Sequence, residues 1–191
     1  MISAGRRTIE FDPNYIIRLI DDENDIKRPQ LRSLWSFWRS KAPAGLLPAR
    51  SDFLIEEFLS WGRNISIMRR EPETGRYRVT LASTAMIDLN GCNPTGLTPE
   101  EFVPPQSLEF SLNCLKHAER ESKAALDTYI VNRNDQALGC DRLTLPCADD
   151  GKTIDCVIVG HYFDRGFLGR LSDATVFDRI EEFRSGSRPD R

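Results

Sequence analysis

The chain has 191 residues, of which 40% are apolar and 29% are charged, a balance typical of a globular protein with a buried core. A net charge of −3 favours binding neither to nucleic acid nor to an anionic membrane surface. The longest apolar run, residues 15–20, is too short to span a bilayer, and no signal-peptide pattern precedes it. The sequence therefore predicts a cytoplasmic protein.

The N-terminal part contains one well-defined helix. We expect residues 1–28 to be an extension outside the main core, with a short strand at residues 8–11. A helix is predicted for residues 29–41, because Pro29 suits its first position and one stripe is apolar. Trp35 and Trp38 share that stripe with Leu31 and Leu34. Two interpretations stay open: the tryptophans form a partner or dimer surface, or, as we favour, the helix covers the outer face of its own sheet.

A hairpin and several short helices are predicted next. A strand at residues 64–70 and a second one from about residue 76 to Ser83 flank a turn with proline and glycine. Ser83 suits the start of a short helix and Gly91 suits a left-handed residue at its end. Thr98 begins a capping-box pattern for another short helix. A longer helix is predicted from about residue 106 to residue 120.

The C-terminal half predicts a three-strand meander followed by a helix. The strands are expected at residues 125–133, 137–147 and 153–163, with tight-turn residues between them. The last strand is apolar on both faces, so we expect it to be central in the sheet and covered on both sides. The final helix, residues 172–184, has an apolar stripe, and a helix this short needs a contact surface for such a stripe. We therefore expect this helix to be an output or association element. That stripe consists of Val176, Phe177, Ile180 and Phe183.

This order of elements resembles that of PAS domains. The resemblance rests on LRSLWSFWR (31–39), LPARSDF (47–53), RYRVTLASTAMIDLNGCNPTGLTPEEF (76–102) and GCDRLTLPCADDG (139–151). The chain is similar to the small single-domain PAS-like proteins of alphaproteobacteria over about residues 30–163. It departs from them at Phe53, where such chains more often have proline.

The resemblance implies an α+β fold with a five-stranded antiparallel sheet, helices over one face, and flanking N- and C-terminal helices. It divides the chain into an N-terminal extension (1–28), a PAS-like domain with its cap helix (29–163), and a C-terminal helix and tail (164–191).

The resemblance also implies a non-enzymatic sensory or regulatory protein that signals in trans or by self-association. A hollow between the sheet and the wall formed by residues 84–115 is expected to hold a small ligand. The candidate pocket residues are Met86, Leu89, Leu112, Tyr129, Leu143 and Leu145. The candidate interface residues, for a protein partner or a homodimer, are Trp35, Trp38, Val176, Phe177, Ile180 and Phe183.

The sequence does not favour zinc, haem or flavin as a cofactor. On extended strands Cys140 and Cys147 point to opposite faces, as do Cys156 and His161, so no tetrahedral ligand set converges. His117 is flanked by charged residues, which indicates a solvated helix face. The five cysteines contain no CxxC pair, so reduced thiols are expected.

Two alternatives to a ligand-binding sensor remain open. One is an interaction module with a filled core and no ligand, and the other is a small enzyme on a similar α+β fold. A cavity larger than about 300 Å³ would favour the ligand. Convergent polar side chains with shifted pKa values inside it would favour the enzyme.

Overall fold

A seven-stranded antiparallel sheet runs through the part of the chain that the computed structural model describes, residues 9–11, 15–133 and 136–164. The strands are β1 Ile9–Phe11, β2 Ile16–Ile20, β3 Ile65–Arg70, β4 Tyr77–Leu81, β5 Ala124–Arg133, β6 Gln136–Cys147 and β7 Cys156–Asp164. The α-helices are α1 Pro29–Lys41, α2 Thr84–Asn90, α3 Pro99–Phe102 and α4 Pro105–Glu121. Segments of 3₁₀ helix occupy Glu23–Asp25, Arg50–Asp52 and Ile55–Asn64.

The strand order confirms the predicted fold class. Five strands lie in the order β4-β3-β7-β6-β5, all antiparallel, and β7, the last strand among the described residues, is central. Helices cover both faces of that strand, which explains why it is apolar on both sides. The hairpin and the meander are joined into one sheet by the pairing of β3 with β7.

The N-terminal segment extends the sheet at its β5 edge. Both β1 and β2 pair antiparallel with β5, with Ile20 opposite Ala124. Ile20 and Ile26 are buried in the main hydrophobic core. This differs from our expectation that residues 1–28 lie outside that core, because alternating apolar residues of a strand as short as β2 suffice to cover the edge of β5. The domain boundaries themselves remain predictions.

Helix α1 covers the outer face of its own sheet. A side chain at Gly160 of β7 would come within 2.8 Å of Leu34 and 2.9 Å of Leu31, so α1 lies directly on the central strand. Trp38 is buried, and its Nε1–H donates to the carbonyl oxygen of Pro146 at 2.9 Å. Trp35 on the same helix is only partly buried.

Replacing Trp38 with Ala is expected to lower the free energy of unfolding by about 3–5 kcal/mol, because the change leaves a large cavity under α1. Trp35→Ala should cost less, since part of that indole already contacts solvent. Urea denaturation of both variants measures the two losses. Equal losses, or a larger loss for Trp35→Ala, would contradict this placement of the helix.

On the other face of the sheet, α2, α3 and α4 form what we call the helical wall. The Ser83 hydroxyl accepts from Met86 N at 3.0 Å, and α2 ends at Gly91 with φ of 70°. Both features were predicted, and the positive φ is the backbone region that glycine enters without steric cost. The Glu101 carboxylate accepts from Thr98 N at 2.7 Å, which is one half of the predicted capping box at the start of α3, whereas Thr98 Oγ1 has no hydrogen-bond partner among the described residues.

The predicted C-terminal helix, residues 172–184, lies outside the described residues. Among the helices of the described part, none is long and apolar enough to cross a membrane.

Candidate functional site

A cavity of about 60 Å³ lies between the inner face of the sheet and the helical wall. The wall contributes Met86, Leu89, Asn90, Pro99, Phe102, Val103, Ser111 and Leu115. The sheet contributes Met68, Tyr129, Arg142, Thr144, Val159, His161 and Phe163. The volume is well below the roughly 300–1,000 Å³ of sites for drug-sized ligands, so the cavity suits only a very small molecule.

The floor of the cavity is unusually polar for the interior of a sheet. Arg142 on β6 is directly opposite His161 on β7, and Thr144 is directly opposite Val159. Directly opposed residues of antiparallel strands place their side chains next to each other on one face. Three of these four side chains carry polar groups, and the strand register therefore brings those groups together beneath the helical wall.

The Arg142 side chain forms a buried ion pair with Asp127 of β5. Arg142 Nε donates to Asp127 Oδ2 at 2.9 Å, Nη2 donates to the same oxygen, and Asp127 is fully buried. The guanidinium carbon lies 5.2 Å from the ring centre of Phe110 and 5.5 Å from that of Tyr129. Arg142 lines the cavity, whereas Asp127 does not.

One donor of this arginine is weakly used. Arg142 Nη1 lies 3.4 Å from the carbonyl oxygen of Ser111, which is long for an N–H···O hydrogen bond. The guanidinium therefore has capacity for a better acceptor on its cavity side.

His161 is a neutral imidazole buried beside this arginine. The residue is 6% exposed, and its Nδ1 has no hydrogen-bond partner. Burial lowers the pKa of His161 to about 3, and the positive charge of Arg142 acts in the same direction. At neutral pH the ring is therefore uncharged.

The thiol next to the cavity is not an activated nucleophile. Cys114 of α4 is fully buried, and Thr144 Oγ1 donates to its Sγ at 3.2 Å. Burial raises the pKa of the Cys114 thiol well above its ordinary value, and the Asp127 carboxylate adds to the effect. The thiol is therefore protonated at neutral pH, whereas nucleophilic catalysis requires the thiolate.

Of the six predicted pocket residues, the structure brings three to the cavity. Met86, Leu89 and Tyr129 line it, whereas Leu112, Leu143 and Leu145 do not. Leu143 is opposite Gly160, which faces α1, so Leu143 and Leu145 are buried on the outer side of the sheet. Leu112 is partly buried and packs against the main core.

The predicted interface residues fall into two groups. Trp38 is 5% exposed and has almost no surface left for a partner, whereas Trp35 borders an open cleft beside α1. Val176, Phe177, Ile180 and Phe183 lie outside the described residues.

Sequence reasoning missed the charged and polar groups of the cavity, Asp127, Arg142 and His161. A signal existed, because Asp127 and Arg142 are oppositely charged residues within mostly apolar stretches of β5 and β6. That Asp127 and Arg142 are directly opposite each other follows only from the strand register. In the described part of the chain, no three His, Cys, Asp or Glu side chains are placed to hold a metal ion.

The solved structures that are similar to this chain include two light-oxygen-voltage proteins. One is a light-oxygen-voltage domain studied with a flavin analogue, with a TM-score of 0.45, 9% identity, and coverage of 70% of this chain and 95% of that chain. The other is an RNA-binding light-oxygen-voltage receptor, with a TM-score of 0.47, 12% identity, and coverage of 92% of this chain and 45% of that chain. The chain thus spans less than half of that receptor. No protein-family model and no curated protein sequence matches the chain.

Proposed function

We propose that this chain is a PAS-like sensory or regulatory domain that binds a very small ligand in the cavity and signals in trans or by self-association. The observation that carries the proposal is the polar floor of the cavity. Arg142, Thr144 and His161 line space that no side chain fills. A buried polar group without a partner is costly, so a ligand that satisfies these groups is stabilised by them.

The output is proposed to reach a protein partner or a second copy of the chain through residues 164–191. The apolar stripe expected at residues 172–184 requires a contact surface, because a helix this short is marginal in water by itself. Trp35 at the open cleft is a second candidate contact. The net charge of −3 does not favour nucleic acid as the partner.

Catalysis is not part of the proposal. The Arg142 charge is paired with Asp127, the Cys114 thiol is protonated, and His161 has no nucleophile as a hydrogen-bond partner. Nucleophilic catalysis needs a nucleophile within hydrogen-bond reach of a base. These groups supply contacts for binding.

A ligand-free interaction module is the second candidate function. The specific observation in its favour is the cavity volume of about 60 Å³, far below the ~300 Å³ that would favour a ligand of ordinary size. In that case the small space would hold only ordered water.

An NMR titration with the small-molecule fraction of a host extract separates the two candidates. In ¹H–¹⁵N spectra of the full chain, we expect shifts for the amides of the cavity floor. Val159→Leu adds a methylene to the cavity and should abolish them. Val79→Leu adds the same group at a fully buried site that does not line the cavity, and should leave the shifts in place.

Sedimentation of the same samples tests the output. We expect the extract to change self-association of the full chain but not of a chain ending at Asp164. The absence of amide shifts in the wild type, with association unaffected by Val159→Leu, would favour the interaction module.

A further inference from the structure

Two of the free cysteines are direct neighbours at one end of the hairpin formed by β6 and β7. Cys147 is the last residue of β6, Cys156 is the first residue of β7, and the two are directly opposite each other. Directly opposed residues of antiparallel strands place their side chains on the same face, with Cβ atoms about 4.5–5.5 Å apart. A disulfide has a Cβ separation of about 3.5–4.5 Å, so a strand shift of about 1 Å brings the two sulfurs into bonding geometry.

A cation lies next to this pair in the same row of the sheet. Arg69 of β3 is directly opposite Cys156 on its other side, so the row consists of Cys147, Cys156 and Arg69. Arg69 is exposed and lines an open cleft of about 440 Å³ together with Arg50. A small molecule in this cleft is therefore one residue away from the Cys156 thiol.

The closed sheet protects both thiols. Cys147 and Cys156 are fully buried, and burial raises the pKa of both, that of Cys156 to about 12. Arg69 and Arg50 act on the pKa of Cys156 in the opposite direction. The effect of burial disappears when this terminal row opens to water, whereas the cations remain, so opening favours the reactive thiolate. Strand ends open at a lower cost in free energy than strand centres.

We propose that Cys147 and Cys156 are a reversible redox site that a small peroxide, entering from the cleft, oxidises to a cross-strand disulfide. The Cys156 thiolate attacks one oxygen of hydrogen peroxide, the O–O bond breaks, and the sulfur becomes a sulfenic acid while the departing hydroxide takes up a proton. The Cys147 sulfur then attacks the sulfenic sulfur, the S–O bond breaks, and the Cys147 proton leaves with the hydroxide as water. Two thiols and one peroxide thus give one disulfide and two waters.

The position of the pair suits a bond that is easily reduced again. Opposed strand residues are farther apart than a relaxed disulfide allows, and strained disulfides have the higher reduction potentials of regulatory bonds. The strand shift also reaches α1, since the Trp38 indole donates to the carbonyl oxygen of Pro146, the residue before Cys147. This thiol input is separate from the cavity and does not depend on a ligand there.

Peptide mapping of the folded full chain without reductant tests the proposal. Cys92 is exposed, so all samples carry Cys92→Ser, which removes disulfides between chains at that position. After treatment with hydrogen peroxide, free thiols are blocked and the protein is digested with trypsin, which cuts after lysine and arginine. We expect peptides 143–152 and 153–165, each with one cysteine, to appear as one linked pair that dithiothreitol separates.

Matched variants locate the reaction. Cys147→Ser and Cys156→Ser should each eliminate the linked pair. Cys140→Ser changes another fully buried cysteine of β6 and should leave the linked pair in place. Arg69→Met should slow formation of the linked pair about threefold, because the reacting thiolate loses its adjacent cation. Arg63→Met, which removes an exposed arginine elsewhere, should leave the rate unchanged.

A thermal melt of each variant verifies folding, and if the serine variants do not fold, Arg69→Met and its control Arg63→Met provide the test. Three results would overturn the assignment: no linked pair at peroxide concentrations that fully oxidise Cys92 of the wild type, a linked pair that forms only in urea, or equal rates for Arg69→Met and its parent. None of these results would affect the proposed regulatory function, which rests on the polar floor of the cavity.

Discussion

Replacing Arg142 with Met is expected to lower the free energy of unfolding by about 3–5 kcal/mol, which makes this position one of the most sensitive in the domain. The variant leaves the Asp127 carboxylate fully buried without its counter-ion. Guanidinium chloride denaturation measures the loss. The double variant with Asp127→Leu should recover most of it, because removing both charges also removes the cost of burying them.

An exposed pair provides the matched control. Arg63 and Asp88 lie 4.0 Å apart and are mostly in solvent, so Arg63→Met should change stability by less than about 1 kcal/mol. Arg142→Met would contradict this prediction if it lowered the free energy of unfolding no more than Arg63→Met does, as would a double variant no more stable than Arg142→Met alone. Either result would show that Arg142 and Asp127 are not a buried ion pair of the core. The floor of the cavity would then be placed wrongly.

Acidification is expected to destabilise the wild type more than the His161→Phe variant. The folded-state pKa of His161 is about 3, whereas its unfolded-state value is near 6.5. At a pH between these two pKa values, His161 is protonated in the unfolded chain but not in the folded chain. The free energy of unfolding therefore falls as the pH decreases through that range. From pH 7 to pH 4.5 the contribution of this residue amounts to roughly 2–3 kcal/mol.

The comparison with His117 isolates this effect. The chain has two histidines, and His117 is partly exposed on α4, so His117→Phe should retain the acid sensitivity of the wild type. Denaturant titrations at several pH values provide the curves. Parallel curves for the wild type and His161→Phe would show that the imidazole is not buried in its neutral form.

The candidate site was only partly predictable. Met86 and Leu89 were identified because the helix between Ser83 and Gly91 has a readable start, end and apolar stripe. Leu143 and Leu145 were assigned to the cavity because they are apolar and alternate along β6, but both faces of β6 are buried. Alternation shows which residues share a face of a strand and does not show which layer that face meets.

The sequence by itself determined the features that depend on neighbouring residues. The start of α1 at Pro29, the cap at Ser83 and the left-handed turn at Gly91 are set by local backbone sterics and short-range hydrogen bonds. The central position of the third meander strand followed from its apolar residues on both faces, whereas the arrangement of the five strands was implied by the resemblance to PAS domains.

Only the tertiary structure decided which side chains meet across the sheet. Asp127 and Arg142 are 15 residues apart in the chain, and Arg142 and His161 are 19 apart, yet the register of β5, β6 and β7 makes each pair direct neighbours. Register depends on the packing of both buried faces at once, and a shift of one residue would turn Arg142 toward α1. The polar cavity is therefore a property of the assembled sheet and not of any single segment.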